Sequence, residues 1–430
     1  MSKYNIDLNL ENFKNITNQL FCENKKNIQE IKTICVALSG GADSMCLLFL
    51  MKCYCDLYGI KLIAVTINHN LRKEIKEEIS QVTHNINNFK IEHIVIEWHH
   101  DGVEKNIQHV AREARYKLLT DFCRSKDIGH LFVAHNKDDQ AETVMMRIMR
   151  GSGIDGISGM NDLVVKNNIK IVRPLLNFYN SQIRSFLKFH EINWIEDPSN
   201  TNDKFDRVKV RKIIKQLDYN FNIIDRLNLL SCNAKRAKDY IDLEVNKVFK
   251  RHCQLFDIGY LTIEREVFLS LHEEIKLRLI NMILKYIHND FSIYPIRIKS
   301  LYILLHNLNS EITKTTLGKC IIESKKGMLY FYKELKYIDE NDQMLTKNKE
   351  NIWDNRFKIS IDKDGYYVSK LTISLWDQIK EINCRNKIPH MIKFTTPVII
   401  DIKTKKILSS LFFNDSLPVI NYIRLSVKEN

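Results

Sequence analysis

"ICVALSGGADSMCLLFLM", residues 34–51, decides the fold. It opens as an apolar, β-branched run, breaks at Gly40 and Gly41, and resumes as an apolar segment with helical spacing. Glycines at such a break permit backbone angles closed to other residues and let main-chain N–H groups converge on an anion. The helix start adds about half a positive charge. The stretch predicts a strand over 34–39, a phosphate-binding turn at Ser39, Gly40, Gly41, Ala42, Asp43 and Ser44, and a helix over 44–58. The hydroxyls of Ser39 and Ser44 suit phosphate oxygens, and the Asp43 carboxylate suits the Mg2+ that accompanies them. The turn lacks the Gly-Lys-Ser/Thr ending of a P-loop and the GxGxxG of a dinucleotide site, which excludes both readings.

Outward from this turn, strand-like runs recur at 62–68, 91–98 and 130–135, with helical patterns at 74–88, 106–126 and 138–150. Alternation of this kind predicts an α/β fold with a doubly wound parallel sheet over residues 1–217. Ligands of such sheets sit outside the carboxyl ends of the strands, so the loops after the four strands are the places to look for chemistry. Residues 218–310 read as a helical domain without strands, and short strand-like pieces over 311–430 as a small β-rich terminal domain.

The 430 residues carry 65 Lys+Arg against 52 Asp+Glu, a formal charge of +13 that favours an anionic partner such as nucleic acid. The ten cysteines are scattered and form no CxxC pair, which argues against zinc, iron–sulfur and disulfide frameworks. No stretch approaches the roughly 20 apolar residues of a membrane span, and the polar opening has no signal-peptide character. A cytoplasmic protein is expected.

Several further motifs fall in the strand-end loops. They are NHNLR at 68–72, NIQHVAREARY at 106–116, AHNKDDQAETVMMRIMRGSGIDGISGM at 134–160, RPLL at 173–176 and EDPSNTNDKFDRVKVR at 196–211. The SGGADS turn resembles the SGGxDS pyrophosphate loop of the ATP pyrophosphatases. In order and spacing the whole set resembles the tRNA(Ile)-lysidine synthetases over nearly all of the first 215 residues, and the remainder is similar in layout to the longer members of that family.

The resemblance implies an adenine nucleotide α-hydrolase-like PP-loop fold, with residues 218–310 binding tRNA, and a two-step reaction on the isoleucine tRNA whose anticodon is CAU. ATP first adenylates the oxygen on carbon 2 of the wobble cytidine and releases pyrophosphate. The ε-amine of free L-lysine then displaces AMP, leaving lysidine, which pairs with A. Phosphate charge calls for Mg2+ and aimed N–H groups, and the ε-amine, with a reference pKa of about 10.4, must lose a proton before it attacks.

By position alone, Asp138, Asp139 and Glu142 are good helix starters; the resemblance makes Asp139 a Mg2+ ligand or the base acting on lysine. Asp138 and Glu142 are left to the helix start or to a neighbouring arginine. The resemblance brings His135 to ATP or the activated base, and Arg112 and Arg115 to the nucleotide and the cytidine. Asn106 and Tyr116 read as support. Asp43 and Asp139 are the metal carboxylates it implies. Arg147 and Arg150, and the run of Arg207, Lys209, Arg211, Lys212 and Lys215, are expected at tRNA phosphates.

The pattern departs at Asn68 and Asn70, where the family commonly has aspartate and glycine, and at Asn136, where a second histidine often stands. Two other readings compete: a tRNA thiolase of the 2-thiocytidine type, which would rely on paired or catalytic cysteines, and a non-catalytic RNA-binding protein on the same fold. The sequence leaves open whether the chain forms a homodimer.

Overall fold

The computed structural model describes residues 7–22, 28–68, 75–99, 107–196, 206–289, 296–310, 313–338, 341–379, 390–410, 413–414 and 419–422. His69, Asn70 and Asn106 lie outside the described residues. The chain divides into two compact units, Met1–Lys238 and Asp239–Asn430.

In the first unit the order is α1 (Leu10–Cys22), β1 (Thr33–Ala37), α2 (Ala42–Tyr58), β2 (Lys61–Asn68), α3 (Ile75–Ile86), β3 (Glu92–Glu97), α4 (Ile107–Ser125) and β4 (His130–Phe132). There follow α5 (Lys137–Met149), α6 (Ile154–Ile157), β5 (Leu163–Lys166), β6 (Ile169–Val172), α7 (Asn180–Phe189), α8 (Asp206–Phe221) and α9 (Ile223–His252), within which the division between the units falls. The four strands and the helices between them lie where the sequence pattern expects them, within a few residues at each end.

The six strands form one sheet in the order β3-β2-β1-β4-β6-β5, parallel throughout except for β5, which pairs antiparallel with β6. Residues alternate across its faces. On β1, Ile34 and Val36 enter a core with α1, α2, α3 and α7, while Cys35 enters a second core with Tyr116, Leu119 and Cys123 of α4. Both faces are covered, so the strands read as near-continuous apolar runs. The chain moves outward from β1 to β3 and returns to the other side of β1 as β4. The strand order reverses between β1 and β4, and ligands of open α/β sheets bind at that point.

The second unit continues with β7 (Gln254–Phe256), β8 (Tyr260–Glu264), α10 (Arg265–Ser270), α11 (Glu273–His288), α12 (Ile298–Asn309), β9 (Lys314–Leu317), β10 (Cys320–Lys325) and β11 (Met328–Lys333). Then come β12 (Gln343–Met344), β13 (Asn351–Trp353), β14 (Phe357–Ser360), β15 (Tyr366–Lys370), α13 (Ile373–Ile379), α14 (His390–Lys393), β16 (Pro397–Asp401), β17 (Ile407–Ser410), β18 (Phe413–Asn414) and β19 (Val419–Tyr422). Three antiparallel sheets result, ordered β7-β8-β11-β10-β9, β12-β15-β16-β17-β18 and β13-β14-β19.

The expectation of no strand between 218 and 310 is corrected by β7 and β8. Tyr260, Leu261 and Ile263 are buried, and β8 pairs along its length with β11, so one sheet joins residues on both sides of 310. A five-residue strand between long helices carries too little periodicity to announce itself.

Candidate active site

The turn after β1 is tight and its shape depends on glycine. Gly40 has φ of +83°, and a Cβ there would stand 2.3 Å from Cγ2 of Val82, so only glycine fits. Its carbonyl accepts the Ile195 N–H at 2.9 Å. Gly41 caps α2 with extended backbone and no side-chain hydrogen bond, leaving the first N–H groups of the helix without a capping side chain. Ser44 is turned inward: its hydroxyl donates to the Gly41 carbonyl at 3.0 Å and lies 3.2 Å from the Ser39 N–H and 3.1 Å from the Ser39 hydroxyl. Ser44 therefore braces the turn, while Ser39 is exposed at its rim.

Asp43, in the first turn of α2, meets the loop after β4. Its Oδ1 accepts two amide hydrogen bonds, from Nδ2 of Asn136 at 2.9 Å and Nδ2 of Asn180 at 3.0 Å. Oδ2 has no partner among the described residues. Burial and the charge of Asp139 push the Asp43 carboxyl up to about 6, against the pull of the two amides.

Asn136 caps α5 in a reciprocal box. Its Oδ1 accepts the Asp139 N–H at 2.9 Å, and Oδ2 of Asp139 accepts the Asn136 N–H at 3.2 Å. The other Asp139 oxygen accepts from Arg207 at 2.6 Å. Arg207 also reaches Oε2 of Glu142 at 2.6 Å, and Arg211 reaches Oε1 at 2.6 Å. Glu142 is buried between the two guanidinium groups, which keep 35% and 32% of their side-chain surface exposed. Burial pushes Asp139 and Asp138 above the usual carboxylate range. Asp138 accepts the N–H of Asn180 at 2.8 Å and so holds the start of α7.

A basic wall faces this acidic floor. His135 Nδ1 accepts Nε–H of Arg173 at 3.3 Å, and Arg173 donates NH1 to the Asn161 carbonyl at 2.8 Å. Burial, then the charges of Arg173, Arg112, Arg207 and Arg115, hold His135 well below its ordinary value. Arg112 and Arg115 thus lie within electrostatic reach of His135. Tyr116 is buried beneath, with Arg112 and Lys166 each 5.5 Å from its ring centre. Arg147 is turned to the carbonyls of Gly156 at 2.7 Å and Gly159 at 3.2 Å, whereas Arg150, Lys209, Lys212 and Lys215 are exposed. Asn68 is buried at the end of β2, where its carbonyl accepts the Trp98 N–H at 2.8 Å.

The structure thus brings Asp43, Asp139, His135, Arg112, Arg115 and Arg207 to one end of the sheet. It spends Arg147, Arg207 and Arg211 on protein partners. Sequence reasoning missed Asn180 and gave no role to Arg173. RPLL was a signal for the second; nothing in the sequence marked an asparagine at a helix start as a partner of a residue 137 positions earlier.

The described residues hold no cluster of three or more His, Cys, Asp or Glu suited to a metal. Mg2+ is ordinarily held by one or two carboxylates together with substrate phosphates. The Oδ2 of Asp43, a hard carboxylate oxygen without a partner among the described residues, fits that role. No helix among the described residues is long and apolar enough to cross a membrane.

Residues 10–217 match a PP-loop domain family. The chain is 35% identical to a tRNA(Ile)-lysidine synthase of Wolbachia pipientis wMel over 82% of this chain and 83% of that one. It is 31% identical to a tRNA(Ile)-lysidine synthase of Wolbachia sp. subsp. Brugia malayi over 92% and 94%, and 30% identical to that of Orientia tsutsugamushi over 88% and 90%.

Proposed function

Since the chain belongs to the tRNA(Ile)-lysidine synthase family, we propose that it joins L-lysine to carbon 2 of the wobble cytidine of the CAU-anticodon isoleucine tRNA, consuming ATP. The observation that carries the assignment of residues is the meeting, at one end of the sheet, of a glycine turn with uncapped N–H groups, a half-buried carboxylate pair and a group of arginines around a neutral histidine.

The turn at Ser39–Ser44 and the start of α2 receive the β- and γ-phosphates through backbone N–H groups. Asp43 would hold the accompanying Mg2+ through Oδ2, and the ion, when bound, would supply positive charge against that of the phosphates. The cytidine O2 attacks the α-phosphorus, the bond to the β-phosphate oxygen breaks, and pyrophosphate leaves with its electron pair. Arg112 and Arg115 hold the α-phosphate, where a planar guanidinium binds two oxygens at once. With Nδ1 occupied by Arg173, His135 carries its proton on Nε2 and donates it as a hydrogen bond to the nucleotide or the base.

Lysine then attacks carbon 2, the carbon–oxygen bond to AMP breaks, and a carbon–nitrogen bond replaces it. Asp139 accepts the proton shed by the ε-amine; its raised pKa makes it a stronger base than an exposed carboxylate. Arg207 and Glu142 position Asp139. Arg150, Lys209, Lys212 and Lys215 contact tRNA phosphates, residues 218–310 hold the body of the tRNA, and the reaction belongs to the cytoplasm. The thiolase reading has less support: Cys46, one turn into α2, is fully buried, and burial with the charge of Asp43 pushes its thiol well above the ordinary value, leaving an inert thiol beside the turn.

The test is incubation with ATP, Mg2+, labelled lysine and CAU-anticodon tRNA transcripts, followed by nuclease mapping. Label at the wobble position is expected. Pyrophosphate release without lysine incorporation would refute the reading.

A further inference from the structure

We infer that Asn180 is a positioning residue for the Asp43 carboxylate, one of two amide arms that saturate Oδ1 and reserve Oδ2 for the cation. The inference rests on the reading of Asp43 as the metal carboxylate and adds the device that orients it.

Both amides are fixed in orientation by what they accept. Asn136 Oδ1 takes the Asp139 N–H, so its Nδ2 must face Asp43. Asn180 Oδ1 takes Nε–H of Arg184 at 3.0 Å, so its Nδ2 is likewise turned to Asp43. Arg184 is held in turn by both oxygens of Glu196, at 2.6 and 3.1 Å, and Glu196 accepts the Trp194 indole N–H at 2.8 Å. The Asn180 backbone is pinned by Asp138. A relay of hydrogen bonds therefore runs from Trp194 and Glu196 through Arg184 and Asn180 to Asp43.

Two donors on one carboxylate oxygen do more than one. They remove rotation about the side-chain bonds, and they leave the second oxygen as the atom with lone pairs to give. A hydrogen bond to a charged acceptor is among the stronger ones in proteins. Losing the Asn180 arm frees the carboxylate to turn about the single remaining donor.

The experiment is Mn2+ binding to the full chain, read by electron paramagnetic resonance with a non-hydrolysable ATP analogue, for the natural protein, Asn180→Leu and Arg184→Met. Asn180→Leu keeps the branched outline of the side chain and removes the donor; Arg184→Met keeps Asn180 and releases its orientation. Expected is a five- to tenfold weaker Mn2+ dissociation constant for Asn180→Leu and a two- to threefold weaker one for Arg184→Met. Affinity for the metal-free nucleotide and the melting temperature should stay near those of the natural protein, which a merely structural role for Asn180 would not allow. Mn2+ affinity equal to the natural protein's in both variants would overturn the inference alone. Absence of nucleotide-dependent Mn2+ binding in the natural protein would overturn the metal role of Asp43 and the inference with it.

Discussion

Arg173 donates its Nε–H to Nδ1 of His135 across 3.3 Å, which places the imidazole proton on Nε2. Burial and the surrounding guanidinium charges hold the imidazole neutral in the folded chain, well below its ordinary value. An unfolded histidine takes a proton near pH 6.5, so the unfolded state binds more protons as pH drops and His135 costs stability below that pH. His135→Gln should lose part of this acid sensitivity. Denaturant titrations at pH 7.5 and 5.5 check it, and an unchanged difference between the two pH values would contradict it.

Asp43 has the opposite sign. Its folded pKa of about 6 exceeds the ordinary 3.8, so its charge costs stability at neutral pH, and the cost fades as pH falls from about 6 toward 3.8. Asp43→Asn should raise the stability of the nucleotide-free protein by about 3 kcal/mol at pH 7.5 and abolish pyrophosphate release. Thermal melts at pH 7.5 and 4 should show that gain shrinking at the lower pH.

Glu142→Gln leaves Arg207 and Arg211 without their shared anion. Breaking a buried pair costs about 3–5 kcal/mol; the partial exposure of both arginines sets the expectation near the lower end. Lysine KM should rise more than ATP KM, because Arg207 holds Asp139 and does not touch the glycine turn. Equal rises in both would dissociate Glu142 from the lysine side of the site.

Gly40→Ala meets two obstacles at once, a positive φ and the methyl of Val82. The left-handed backbone alone costs roughly 1–2 kcal/mol, and the overlap displaces the turn. ATP-dependent pyrophosphate release should fall at least a hundredfold while far-ultraviolet circular dichroism stays that of the natural chain.

Replacing Arg150, Lys212 and Lys215 together by glutamine should flatten the salt dependence of tRNA binding by about one to three units of the log–log slope. Arg211→Gln should not, because its guanidinium is committed to Glu142. Filter binding between 50 and 300 mM salt distinguishes them.

The sheet was legible because its central strands β1, β2 and β4 are buried on both faces and its helices are long, so the apolar pattern survives without any tertiary knowledge. The glycine turn was legible for the same local reason. Pairings across the chain were not. The basic run at 207–215 reads as a nucleic-acid face, yet Arg207 and Arg211 turn inward, because only folding brings a buried glutamate between them. Asn136 reads as a departure from a histidine pattern, and the structure gives it a helix cap and a hold on Asp43. Which residues oppose one another across more than 60 positions is set by packing, and no local propensity records it.

Helix α2 bears on the thermodynamics of nucleotide capture. Met45, Cys46, Leu47, Leu48, Leu50 and Met51 are fully buried, so the helix cannot shift without opening the core. Its leading N–H groups are aimed when the chain folds, before any phosphate arrives. The entropy of ordering them belongs to folding, so a nucleotide bound there as proposed meets a preorganised receptor.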